Sequence, residues 1–203
     1  MARRSDHSRE EIRAMALAAA QQIVTEQGFA ALNARKIASA IGYTVGTLYL
    51  VFKNLDDLFL QLNARTLDDL HAALADTASA HADCEQRLKA LAHAYVDFAC
   101  EHTQRWELIF QHRLPPGETL PQWYQVKISA VFGLVEAALA ELAPERSSAQ
   151  VAEAARALWG GVHGICILAL TNKLGVGGAT SPRASVESLV THYLYGFRAL
   201  TGS

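Results

Sequence analysis

An all-α fold follows from three observations. The chain is rich in Ala and Leu yet has only five Pro in 203 residues. Helix start and stop signals recur along it. Between those signals the apolar residues repeat at three- and four-residue spacing. With 51% of its residues hydrophobic, the chain has ample material for a core. The length fits one large domain, or a small domain joined to a larger one.

The elements can be justified in order. "SREEIRAMALAAAQQIVTEQG", 8–28, opens on Ser8 with Glu11 three residues on, a capping box. Ile12, Met15, Ala19 and Ile23 give it an apolar face, and Gly28 ends it. Asn33 caps "ARKIASAI", in which Ile37 and Ile41 stand four apart, and Gly42 stops that helix.

"TVGTLYLVF", 44–52, is harder, because its residues are mostly strand formers. A lone strand between two capped helices would have no partner for its hydrogen bonds. A short helix, "VGTLYLVF", with Leu48 and Phe52 inward resolves this. Asn54 then begins a long helix with Asp56 and Asp57 in its first turn, where the helix dipole favours acids, and Leu58, Leu62 and Leu70 follow.

Asp83 with Gln86 caps "CEQRLKALAHAYVDFACEH". A short helix "QRWELIFQH" runs to the breaker "RLPPGETL". Pro121 starts "QWYQVKISAVFGLVEAALAEL", and Ser147 or Ser148 starts "AQVAEAARALWGGVHGICILALTNKL". After the turn "GVGGATSP", Ser181 and Pro182 open the last helix. That helix carries the stripe Val186, Leu189, Val190, Tyr193, Leu194, Phe197 and Leu200. Such a stripe is either an intramolecular core face or one half of a dimer interface, and the interface is the expectation.

Charge narrows the function. Residues 1–53 hold seven basic residues against four acidic ones, while the remainder holds eleven against sixteen. A basic end on an acidic body is the asymmetry of a nucleic-acid-binding module joined to something else. Cys84, Cys100 and Cys166 are odd in number and lack CxxC spacing, which fits reduced thiols in a cytoplasmic protein. "MARRSDHSREEIR" has no apolar run after its arginines and does not read as a signal peptide. The most apolar stretch, 157–171, falls short of the roughly 18 residues that indicate a membrane span.

"GFAALNARKIASAIGYTVGTLYLVFKNLDDLF", 28–59, resembles the DNA-binding domain of the TetR family of transcriptional repressors. "LWGGVHG", 158–164, resembles the Trp-His-Gly class of that family's C-terminal domains. The resemblance implies a three-helix helix-turn-helix DNA-binding domain over 1–53. A helical ligand-binding and dimerisation domain over 54–203 would follow it. It also implies a cytoplasmic homodimer on double-stranded operator DNA, released by a small-molecule inducer, with no cofactor and no membrane.

The resemblance places Arg35 at the major groove, with Lys36 beside it in the DNA-facing set. Thr44, Val45, Gly46, Tyr49 and Leu50 fall on the recognition helix or its start, and Thr47, Tyr49 and Lys53 match phosphate-holding positions. The chemistry agrees: Arg35 can give a guanine two hydrogen bonds, Lys53 is a point charge for a phosphate, and Val45 and Leu50 can touch thymine methyls or sugars. Val51 and Leu55 stand where relatives often carry His or Tyr and Lys, which leaves the reading head poor in donors. Arg3, Arg4 and Arg9 could supply charge from an N-terminal arm.

Tyr95, Phe98, Trp106, Phe110, Trp123 and Trp159 are candidates to line an apolar ligand pocket, although such residues also build cores. His163, one turn after Trp159, is the candidate polar contact. Gly160, Gly161 and Gly164 are costly in a helix centre and point to close approach by a helix or ligand. Val186, Leu189, Val190, Tyr193, Leu194 and Phe197 are the expected dimer interface.

His93, Asp97 and Cys100 share a helix face, so a metal-responsive regulator is an alternative. An enzyme is less favoured. On one helix these side chains project in parallel, and there is no phosphate loop, GxSxG or paired-carboxylate motif. A partner-binding helical scaffold would leave the reading-head match unexplained.

Overall fold

The computed structural model describes residues 7–176, 178 and 181–199. Among these there is no strand. The helices are α1 (Arg9–Gln27), α2 (Ala34–Ala40), α3 (Val45–Leu48), α4 (Leu55–Ser79), α5 (Cys84–Glu101), α6 (Thr103–Gln111), α7 (Gln122–Leu142), α8 (Ser148–Leu170) and α9 (Pro182–Ala199), with a 3-10 turn at Phe29–Ala31. No described helix is long and apolar enough to cross a membrane.

The backbone contacts define two compact units. One comprises residues up to Thr66 together with Gln104–Tyr124; the other comprises Leu67–Thr103 and the chain from Gln125 onward. Helix α4 therefore supplies residues to both.

Caps and glycines set the ends of the helices in the first unit. The Ser8 hydroxyl accepts the Glu11 N–H, and the Glu11 carboxylate accepts the Ser8 N–H, closing the capping box. Gly28 has φ 75° and Gly42 φ 74°, so both stops use backbone that side-chain-bearing residues rarely adopt. On α1 the buried face is Ile12, Ala16, Leu17, Ala20, Ile23 and Val24. Met15 and Ala19, expected on that face, are only partly buried.

The core of this unit joins α1, α2, Leu48, Val51, Phe52, the first turns of α4 and Leu108 of α6. Trp106 is fully buried. These two residues explain why α6 belongs to this unit, an assignment that local pattern does not reveal.

In the second unit, α5, α8 and α9 pack on one another. Val186, Val190, Leu194 and Phe197 are buried within the single chain. This corrects the interface expectation: these four form an intramolecular core face, while Leu189 and Tyr193 are partly exposed. Leu189 covers Gly161, where an added Cβ would meet Leu189 Cδ2 at 2.6 Å. Gly161 is thus the glycine that lets α8 and α9 approach. Leu200, Arg3 and Arg4 lie outside the described residues, as does part of the 175–182 turn.

Candidate functional site

Two sites emerge, one in each unit. In the first, Thr44 caps α3: its Oγ1 accepts the Thr47 N–H at 3.3 Å. The α-helix lasts only through Leu48, shorter than the 45–52 expected from sequence. Beyond it the chain tightens into i→i−3 bonds, Leu50 N–H to Thr47 and Val51 N–H to Leu48, before Phe52 N–H returns to the Leu48 carbonyl. β-branched and aromatic residues with Gly46 make a poor helix, so the last turn is the tighter form. Leu48 and Phe52 face inward, as expected.

The outward surface differs in detail from expectation. Tyr49 is 48% and Leu50 64% exposed, while Val51 is buried. Leu50 is thus free for contact and Val51 serves the core. Leu55 and Val45 also pack partly against that core. Thr44 and Thr47 hydroxyls lie 3.0 Å apart, so one hydroxyl hydrogen of the pair is spent internally and the other stays available. Arg35 is exposed; Lys36 is only partly so, and its Nζ bonds Gln27. Lys53 donates its backbone N–H to Asp57 at 2.9 Å and leaves its side chain exposed. At Gly46 an added Cβ would meet only Thr44 Oγ1, at 3.6 Å, so packing within the chain does not demand glycine there.

Arg13 was not legible from sequence. Its Nε and a terminal nitrogen donate to the Val51 carbonyl at 3.2 and 2.8 Å, and Glu10 pairs with it at 2.9 Å. The guanidinium thereby satisfies an acceptor at the end of the recognition segment, where helical carbonyls lose their partners. His112 was also missed: its Nε2 lies 2.9 Å from Asp56, tying the end of α6 to the start of α4. Trp123, expected in the ligand pocket, instead lines an open cleft with Tyr49, Leu50 and Lys53.

In the second unit α4 (Leu74), α5 (Leu88, Leu91, Ala92, Tyr95), α7 (Val131, Phe132, Val135) and α8 (Leu158, Trp159, Val162) surround a cavity of about 60 Å³. Its two lining residues with polar side-chain atoms, Tyr95 and Trp159, are joined to each other and to His163 beside them. Trp159 Nε1–H donates to the Tyr95 hydroxyl at 3.3 Å, and that hydroxyl lies 3.0 Å from His163 Nδ1. Burial holds the His163 imidazole below its ordinary 6.5, favouring the neutral ring. Of the expected ligand residues, the fold brings together Tyr95, Trp159 and His163. Phe98 is buried on α5 with its ring against His102, and Trp106, Phe110 and Trp123 belong to the first unit.

Among the described residues no three metal-ligating side chains converge. His93 lies 3.3 Å from Glu187, and Asp97 pairs with Arg183. Cys100 is exposed, with its thiol raised by partial burial and by the nearby acids Asp97 and Glu101.

A capped pair of short helices with an exposed polar and aromatic face, in a chain that also holds a separate apolar cavity, is the arrangement of a helix-turn-helix regulator. A family model described as bacterial regulatory proteins, tetR family, matches residues 16–62, and one described as tetracyclin repressor-like, C-terminal domain, matches 88–193. The chain belongs to the TetR family of transcriptional regulators.

It is similar to the HTH-type transcriptional activator FasR of Mycolicibacterium smegmatis, 30% identical over 104 residues, 51% of this chain and 48% of FasR. The chain thus spans about half the length of that relative. Among solved structures, a protein of unknown function from Rhodococcus sp. RHA1 matches with TM-score 0.76 and 22% identity, over 96% of this chain and 98% of that one. The transcriptional regulator FadR from Bacillus subtilis, solved with stearoyl-CoA, matches with TM-score 0.68 and 16% identity, over 90% and 98%. At such identities the structural likeness shows the fold.

Proposed function

We propose that the protein is a ligand-responsive repressor that binds a palindromic operator as a homodimer and is released by a small, largely apolar organic molecule. The observation that carries this reading is the cavity in the second unit. Ligand pockets typically enclose about 300–1,000 Å³, whereas this one holds about 60 Å³. An occupant must therefore spread the helices that line it. One of these is α4, whose earlier residues belong to the DNA-binding unit. A ligand that needs the spread form and an operator that needs the closed one oppose each other by linkage.

On DNA, Arg35, Tyr49, Lys53 and the Thr44–Thr47 pair supply the donors, Leu50 supplies apolar contact, and Gly46 leaves room for close approach. A two-headed protein suits half-sites about 34–36 Å apart. For the dimer we propose the outward faces of α8 and α9: Gly160, Gly164 and Leu168 on one, His192 and Tyr195 on the other. In the single chain an added Cβ at Gly160 or Gly164 meets nothing within 4 Å, and Tyr195 is 79% exposed.

The test begins with DNA upstream of the gene, searched for an inverted repeat and assayed for retention. Arg35→Ala and Tyr49→Ala should each weaken operator binding, with about 1–3 kcal/mol lost per bidentate base contact. Full affinity in both variants would remove the DNA assignment. Ligand titrations with and without operator should differ by the same factor as operator titrations with and without ligand, about 5- to 150-fold for ordinary coupling. Equal ligand affinity in both would mean the compound is not the inducer. The likeness to FasR, named an activator, favours a second reading in which the bound protein raises transcription. A reporter measured with and without the protein separates the two.

A further inference from the structure

We propose that the part of the ligand entering the second-unit cavity is uncharged: an alkyl chain or ring bearing one neutral oxygen, received by the Tyr95–His163–Trp159 group. This rests on the reading of that cavity as the ligand site.

No side chain lining the cavity carries a charge. A carboxylate or ammonium moved there would leave water without a counter-ion, which is far costlier than moving a neutral group. The lining residues that carry a polar atom in the side chain are Tyr95 and Trp159, and His163, which does not itself line the cavity, meets the Tyr95 hydroxyl with its Nδ1 at 3.0 Å. The indole N–H can only donate, and it already donates to the Tyr95 oxygen. Between Tyr95 and His163 two neutral arrangements are open: Tyr95 O–H donates to Nδ1 of the Nε2–H tautomer, or Nδ1–H of the other tautomer donates to the Tyr95 oxygen and leaves the phenol O–H to turn elsewhere. The group therefore meets a ligand hydroxyl in the first arrangement and a ligand carbonyl in the second, by exchange of imidazole tautomers and rotation of the phenol O–H, with every member neutral throughout. Burial keeps the imidazole neutral, so it offers no cation to an acid.

The charged pair Arg156–Glu136 packs on a lining residue without itself lining the cavity. Arg156 sits over the Phe132 ring at 5.0 Å and is held by Glu136 at 3.2 Å. A long ligand can keep a charged part in solvent, but the inserted portion would be hydrocarbon with an alcohol, carbonyl or ester oxygen.

The experiment is calorimetric titration of the full chain at neutral pH with three probes of equal chain length: 1-octanol, octanoate and octylammonium. 1-Octanol should bind, and the two ions should bind about tenfold or more weakly. Octanoate should gain affinity as pH falls, because it must take up a proton to enter. Tyr95→Phe should weaken 1-octanol about fivefold, the worth of one hydrogen bond. Val162→Trp, with Ala92→Leu as a smaller block, should abolish binding.

Octanoate binding as tightly as 1-octanol, blocked by the cavity variants and lost in Arg156→Gln, would overturn the charge assignment while leaving the cavity as the ligand site. 1-Octanol binding that neither block affects, or no binding by any probe, would overturn both readings.

Discussion

Leu194→Ala separates the two roles that the α9 stripe could play. The side chain is 1% exposed in the single chain, on the face of α9 that meets its own neighbours. Truncating a leucine in such a site costs the transfer energy of the lost carbons plus a cavity penalty, about 2–5 kcal/mol together. For a chain of this size that lowers the melting temperature by roughly 4–20 °C. The site is internal to one chain, so the loss should be the same at two widely separated protein concentrations. Thermal and urea unfolding, each at both concentrations, measure it. Tyr195→Ser is the comparison: a substitution at so exposed a position should alter monomer stability by no more than about 0.5 kcal/mol and act only on self-association. If Leu194→Ala keeps its stability within about 1 kcal/mol and instead weakens association, the core assignment of α9 is wrong.

Other expectations follow from the same geometry. Arg13→Ala removes both donors to the Val51 carbonyl, and because the side chain is 36% exposed the loss should be about 1 kcal/mol. Amide exchange at Leu50–Phe52 should speed up and operator affinity should fall by up to about fivefold; unchanged exchange there would deny Arg13 its positioning role. Gly28→Ala forces a side chain into φ 75°, ψ 172° and against Gln104, and should cost about 1–3 kcal/mol by urea unfolding. Gly133→Ala, mid-helix with nothing within 4 Å, should instead stabilise by about 0.5–1 kcal/mol, and a loss there would point to contacts absent from the single chain. His163 is held below its ordinary 6.5 by burial, so below that pH the unfolded chain binds more protons than the folded one. Stability should drop as pH falls through this value, less steeply in His163→Gln, and equal slopes in urea midpoints would count against a buried neutral ring.

The sequence by itself determined what depends on neighbours a few residues apart. The Ser8–Glu11 box and the Asn33 and Asp83 caps all close in the structure, because each bond spans three residues and its geometry is local, and of Ser147 and Ser148, left open by sequence, Ser147 is the cap, in a box with Gln150. The short recognition helix was legible for the same reason, through caps on either side and the inward pair Leu48 and Phe52. Periodicity also showed that α9 hides an apolar face. It could not show from what, because an intramolecular core and a dimer interface demand the same stripe, and only packing against α5 and α8 decided it. The aromatic residues divided in the same way. Trp106 and Trp159 look alike as apolar mass in the chain, yet one is sealed in the first unit and the other walls the cavity in the second. Arg13 holding the Val51 carbonyl across 38 positions, and Tyr95 meeting His163 across 68, are contacts of this kind. No local preference encodes them; they exist because the folded core brings distant turns of helix within hydrogen-bonding distance.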